Sequence, residues 1–207
     1  DAFVMGMEAS SVIAQEASGV KYYDYNGEEE DVFKVLSDSG INYIRVRIWN
    51  DPFDAEGHGY GGGNCDINTA IAIGKRATKY KMKLLVNFHY SDFWADPAKQ
   101  KAPKAWANME YQDKCTALYE YTKECLQKLK DENIAVGMVQ VGNETSGGKM
   151  AGETRFSFFA GLFNQGAKAC REVFPDALVA VHFANPEKSA NYYDWASKLA
   201  TNNVDYD

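Results

Sequence analysis

IRVRIW, residues Ile44 to Trp49, alternates apolar and polar side chains so strictly that the fold turns on what each face meets. A strand's period of two puts Ile44, Val46 and Ile48 on one face and Arg45, Arg47 and Trp49 on the other. In an open parallel sheet covered by helices both faces are dry, and strands read as nearly continuous apolar runs. Two arginines buried on such a face would need partners. In a closed barrel the same arginines can point into the lumen and hold carboxylates, so this stretch favours a barrel over a doubly wound sheet.

Outward from it, short apolar runs alternate with helical stretches, the pattern of βα units feeding a parallel sheet. Strands are expected at Phe3–Ala9, Ile41–Trp49, Lys83–His89, Val136–Val141 and Leu178–Phe183, and Val204–Tyr206 opens a sixth. Glu28–Ser39 reads as a helix stopped by Gly40, and Ile67–Tyr80 as one capped by Asp66. Met109–Lys130 repeats Cys115, Leu118, Thr122, Cys125 and Leu129 at helical spacing. Arg155–Phe174 does the same with Phe156, Phe159, Phe163, Ala167 and Cys170 before Pro175 ends it. Two long connections, Asn50–Asp66 and Tyr90–Asn108, follow strands, where barrel enzymes build their sites.

A chain of 207 residues, 45% hydrophobic and 25% charged, is ordinary for one globular domain. Its net charge of −7 and lack of a basic cluster argue against nucleic acid or an anionic membrane as partner, and favour an uncharged or cationic ligand. No apolar run reaches the ~18 residues of a membrane span. The 13 tyrosines and 4 tryptophans are a surplus of the kind that lines carbohydrate sites, where a sugar's C–H face stacks on a ring, although an aromatic core explains them equally. Cys115 and Cys125 share one helix and so stand roughly 15 Å apart, beyond the ~7 Å reach of a disulfide. Nothing in the spacing assigns a partner to Cys65 or Cys170.

The residues at the carboxyl ends of the strands are Arg45, Arg47 and Trp49, then Asn87, His89, Asp92 and Trp94, then Asn143 and Glu144, then His182 and Asn185. Taken singly, Glu144 reads as a cap or ion-pair partner, either histidine as a satisfied core residue, and Trp94 as an inward loop anchor. Together they combine acid, base, cation and aromatic platform, which suits a polyhydroxylated ligand, and a protonated Glu can donate to a glycosidic oxygen as its bond breaks. His58, His89 and His182 fit no zinc spacing, and Gly61–Gly63 lacks the lysine of a phosphate cradle, so neither metal nor cofactor is expected.

IRVRIWNDP at Ile44–Pro52, YGGG at Tyr60–Gly63, NFHYSDFWADPAKQ at Asn87–Gln100 and QVGNE at Gln140–Glu144 together resemble the endo-β-1,4-galactanases of glycoside hydrolase family 53, in family order and over nearly the whole chain. The resemblance implies a TIM (β/α)₈ barrel that keeps its acid/base after strand 4 and its nucleophile on strand 7. Residue by residue, it implies Glu144 as acid/base and Asn143 as partner of the sugar 2-hydroxyl. Arg45 and Arg47 would position the nucleophile, His89 and His182 would line the cleft, Trp94 would be a sugar platform, and Trp49, Asn87 and Asp92 would contribute to substrate binding. The implied substrate is the β-1,4-galactan side chain of pectin, or arabinogalactan, cut internally with retention. An intact side chain cannot cross a membrane, so the enzyme is expected outside the cytoplasm: secreted, periplasmic or at the cell surface. The rivals are a non-catalytic galactan-binding protein and another clan A β-glycanase. Glu8 and Asn87 stand where the family pattern carries Asp.

An eight-unit barrel takes about 250 residues. The strands above give an incomplete barrel of five βα units plus the start of a sixth strand, so residues 1–207 are expected to be the N-terminal portion of a single barrel domain, lacking strands 7 and 8 and the nucleophilic Glu. Two open strand edges make such a piece an aggregation hazard. The outcome expected for these residues assayed alone on galactan is negligible turnover, and robust retaining hydrolysis by a homogeneous preparation refutes it.

Overall fold

The computed structural model describes residues 3–207. Five parallel strands lie in chain order: β1 (Gly6–Glu8), β2 (Tyr43–Ile48), β3 (Lys83–Phe88), β4 (Val136–Val141) and β5 (Leu178–Ala180). Each crossover advances by one strand, which is how an α/β barrel is wound, and the whole is a partial barrel of that type. The helices are α1 (Val12–Ala17), α2 (Val32–Asp38), α3 (Ile67–Lys79), α4 (Tyr111–Asp131), α5 (Phe156–Val173) and α6 (Ser189–Thr201), with a 3₁₀ turn at Lys104–Trp106.

Register explains the alternation noted in β2. Arg47 pairs with Asn87 and Asn87 with Gln140, so polar side chains share the inner face, while Ile44, Val46 and Ile48 align with Leu84, Val86 and Phe88 toward the helices. The outer face is the core, sealed by residues such as Phe33, Ile73, Leu118, Leu126, Phe159 and Phe163, all fully buried. Each such side chain contributes about 1.5–3 kcal/mol on leaving water. The inner face is drier in character below than above. Leu85, Met138 and Leu178 occupy its lower part and remain partly open, since no further strands enclose them among the described residues.

Several boundaries differ from those read in the sequence. β1 is shorter because pairing with β2 begins at Gly6, although Met5 already accepts backbone hydrogens from Asn42 and Tyr43. α2 starts only at Val32, where the Asp31 carboxylate caps the Phe33 amide, because Tyr23 and Glu29 pair as an antiparallel bridge upstream. β5 ends at Ala180, since the His182 carbonyl turns to Thr145 instead of a strand partner. Residues 204–206 form no strand, though the Asp207 amide donates to the Val179 carbonyl and continues the β5 edge. α1 and α6 went unrecognised. The four cysteines are buried free thiols, and burial raises Cys65 and Cys170 to about 11 and Cys125 to about 12, so they are not nucleophiles. Among the described residues no helix is long and apolar enough to cross a membrane.

Leu84 is wholly buried at the centre of the outer face. Leu84→Ala is expected to cost about 2–5 kcal/mol in chemical denaturation. A loss well below about 1 kcal/mol would mean that this face is not the principal core.

Candidate active site

β4 delivers Gln140 inward, and the chain then turns over the rim of the sheet through Gly142 (φ +87°) and Glu144 (φ +49°). A Cβ on Gly142 would stand 2.5 Å from Thr145 Cγ2 and 2.6 Å from Met150 Sδ, so only glycine fits this turn. Glu144 carries a side chain in the left-handed region, a conformation that costs of order 1 kcal/mol and persists where the surroundings fix it. Two hydrogen bonds do so: the Glu144 amide donates to His182 Nδ1 at 2.9 Å, and the Thr145 amide to the His182 carbonyl at 2.9 Å. Gln100 Nε2 adds a third anchor, donating to the carbonyls of Asn143 (2.8 Å) and Glu144 (3.2 Å). The turn is therefore rigid while the Glu144 carboxyl itself has no protein hydrogen bond among the described residues.

Beneath the turn lies a polar layer. Arg45 donates to Gln140 Oε1 from Nε (3.2 Å) and Nη2 (3.0 Å), to Asn143 Oδ1 (3.0 Å) and to Glu8 Oε2 (3.0 Å), spanning the sheet from β1 to β4. Gln140 Nε2 donates to Asn87 Oδ1 at 2.8 Å, and Asn87 Nδ2 to Asn143 Oδ1 at 3.1 Å. The remaining amide, Asn143 Nδ2, donates to the Ala95 carbonyl at 2.9 Å. Asn143 is thus held at both ends of its amide, and Glu8 and Asn87 satisfy the layer with the side chains they have.

Arg47 sits one turn of the pleat higher, only 7% exposed. Its Nη2 donates to the Gly62 carbonyl at 2.6 Å and to Ser11 Oγ at 3.0 Å, and its guanidinium lies 4.3 Å from the Trp94 ring centroid. Arg47 thereby helps to clamp the Asn50–Asp66 loop to the Tyr90–Asn108 loop.

The resulting cleft, of about 430 Å³, is lined by Glu8, Arg45, Arg47, His89, Trp94, Ala95, Asp96, Asn143, Glu144 and His182. Trp94, 46% exposed, presents a ring to it. Three residues assigned above to substrate binding do not reach it. Trp49 is fully buried beneath Trp94 and Phe93 with its Nε1 donating to His89 Nδ1 at 3.3 Å. Asn87 is fully buried in the polar layer. Asp92 accepts from the Asp51 amide (3.1 Å) and the Lys104 amide (2.7 Å), which makes it a brace between loops. In each case the residue supports the wall from behind, because its polar atoms are consumed by the protein.

Both histidines are held neutral. His89 is pushed down to about 3, first by burial and then by Arg45 and Arg47, and His182 to about 4, by burial and then Arg45. Each Nδ1 accepts a backbone amide, from Ala95 (3.0 Å) at His89 and from Glu144 at His182, so the proton sits on Nε2 and each ring is a donor. Gln140, Gln100 and Glu8 are the supporting residues that motif reading left unassigned. Inward register with Asn87 could have found Gln140, while nothing local marks Gln100. Asp54, Glu56 and His58, at the tip of the first long loop, bring ligand atoms within 4.8 Å of one another and could hold a cation, but Asp54 already accepts the Glu56 and His58 amides as a turn.

A carboxyl on a strand-4 turn, an asparagine before it, neutral imidazoles and an exposed tryptophan over a partial α/β barrel are parts from which glycoside hydrolase sites are built. The sequence profile described as "Glycosyl hydrolase family 53" matches residues 4–207, and the chain belongs to that family. It is 57% identical to the endo-beta-1,4-galactanase of Bacillus subtilis over 205 residues, 99% of this chain and 48% of that protein. It is 34% identical to the arabinogalactan endo-beta-1,4-galactanase of Cellvibrio japonicus over 99% of this chain and 55% of that protein. The solved Ignisphaera aggregans GH53 catalytic domain superimposes with a TM-score of 0.93 at 37% identity, covering 99% of this chain and 57% of that one. The chain therefore spans about half the length of the relatives it matches.

The unfolded chain protonates its histidines near 6.5, the folded one only near 4 and 3, so the unfolded state binds more protons below 6.5. The contribution to stability is full above that pH and is lost as pH falls. Melting temperature is expected to drop on acidification from about 6.5 toward 4, and less steeply in His89→Asn, whose Oδ1 can still accept the Ala95 amide. Parallel pH profiles for the two proteins would contradict the assignment of a buried neutral His89.

Proposed function

We propose that the protein containing this chain hydrolyses β-1,4-galactosidic bonds within galactan or arabinogalactan side chains of pectin, with retention, outside the cytoplasm. Residues 1–207 form the N-terminal portion of its single barrel domain in this reading, and the nucleophilic carboxylate lies outside them. The observation that carries the reading is the Glu144 carboxyl, without a hydrogen-bond partner among the described residues, on a turn that His182 and Gln100 hold in place. Supporting it, the relatives named above are galactanases by name, and both share the full extent of this chain.

In the first half-reaction Glu144 gives its proton to the leaving glycosidic oxygen while the second carboxylate attacks the anomeric carbon, the two about 5–5.5 Å apart as retention requires. In the second, Glu144 takes a proton from water, which displaces the enzyme carboxylate. The protein's contribution is orientation. The Arg45–Gln140–Asn143 layer fixes the asparagine amide beside the acid, His89 and His182 offer Nε2–H donors to sugar hydroxyls, and Trp94 offers its ring to a pyranose face. Extracytoplasmic location follows from substrate size, since a polymer must be met where it is.

The full-length protein is expected to release galacto-oligosaccharides from linear β-1,4-galactan, and Glu144→Gln to lower kcat by about 10²–10⁴-fold with a smaller effect on KM. Absence of release from the unsubstituted protein, with binding retained, would identify a galactan-binding protein instead. Faster cleavage of mannan or cellulose than of galactan would replace the substrate.

A further inference from the structure

Trp94 also borders a second hollow, of about 770 Å³, which Glu144 does not line and which Trp94 shares with Tyr60, Phe93, Lys99, Lys101 and Lys104. A chain that carries a net charge of −7 places three lysines here against a single carboxylate, Asp92.

Two of these charges are already answered. Lys104 Nζ binds Asp51 Oδ2 at 2.8 Å and the Phe53 carbonyl at 2.8 Å, and both Asp92 oxygens accept backbone amides. Lys99 and Lys101 are exposed and have no ion-pair partner among the described residues. Their backbone is nevertheless fixed. Gln100, between them, donates to the Asn143 and Glu144 carbonyls, its own carbonyl accepts the Gly152 amide at 2.5 Å, and Lys99 and Asp96 exchange backbone hydrogen bonds of 3.0 and 3.1 Å. The two lysines are thus carried on a fixed backbone next to the Glu144 turn, in the hollow that Tyr60, Phe93 and Trp94 also line.

Aromatic faces take up pyranose rings, whereas a pair of unanswered ammonium groups takes up an anion. We propose that this hollow is a subsite for a carboxylate-bearing sugar unit of the same polysaccharide, the ring seated on the Phe93–Trp94 side and its carboxylate on Lys99 and Lys101. The subsite rests on the galactan reading and adds to it a preference for galactan joined to uronate sugars over neutral galactan of equal length.

Calorimetric titration of the full-length protein, made inactive by Glu144→Gln, with a neutral galacto-oligosaccharide and with one of equal length ending in a uronate unit tests this. The uronate ligand should bind more tightly at low salt, and Lys99→Gln with Lys101→Gln should weaken it about five-fold while leaving the neutral ligand unchanged. Salt near 1 M, where the Debye length falls to about 3 Å, should remove the difference. Equal affinity for the two ligands, or an equal effect of the double substitution on both, overturns the subsite. If the neutral oligosaccharide binds and the unsubstituted protein cleaves neutral galactan, such a result leaves the galactan reading intact; if neither ligand binds and nothing is released, both fall.

Discussion

The structure depends on a guanidinium inside a barrel. Arg45 projects from the inner face of β2, and a cation there must be answered by its neighbours or it costs several kcal/mol. The answer comes from Glu8 on β1, Gln140 on β4 and Asn143 just beyond it, so one side chain ties the first strand to the fourth. Hydrogen bonds to a charged group contribute about 1.5–3 kcal/mol each, so several of them together fix this layer. Because Asn143 belongs to both the layer and the turn, rigidity passes directly from the sheet to Glu144.

The same cations set the protonation of the site. Arg45 and Arg47 add to burial in keeping His89 neutral, and Arg45 does the same at His182. A neutral imidazole whose Nδ1 is occupied can only donate from Nε2, which suits hydroxyl oxygens. Positive charge therefore does two things here: it organises amide side chains below the cleft and it adds to burial in keeping the imidazoles neutral, while the Ala95 and Glu144 amides fix their tautomers. The two long loops are joined to this scheme through Arg47, which binds Gly62 of one and stacks against Trp94 of the other. Gly62, at φ +63°, approaches Trp49 so closely that a Cβ would lie 3.0 Å from the ring, so the clamp requires a glycine.

Five strands, the helices α2 to α5 and the inward arginines were legible because each is written in a local period. Residues whose period is ambiguous were not: α1 is six residues long and α6 has only Trp195 and Leu199 fully turned to the core. Trp49 shows the limit at the site. Alternation correctly set it apart from Ile48, but the strand had already ended, and the Cys65 carbonyl takes its amide at 2.7 Å and draws the ring beneath the loops.

The sequence by itself determined that the chain winds as parallel βα units, that Arg45 and Arg47 face inward and that Glu144 lies just past β4, since these follow from periodicity and from motifs read in order. Only the tertiary structure decided which polar residues meet the cleft and which stand behind it. That outcome depends on who consumes each hydrogen-bonding atom, and the partners of Asn87, Asp92 and Gln100 come from loops and strands that share no local sequence pattern with them.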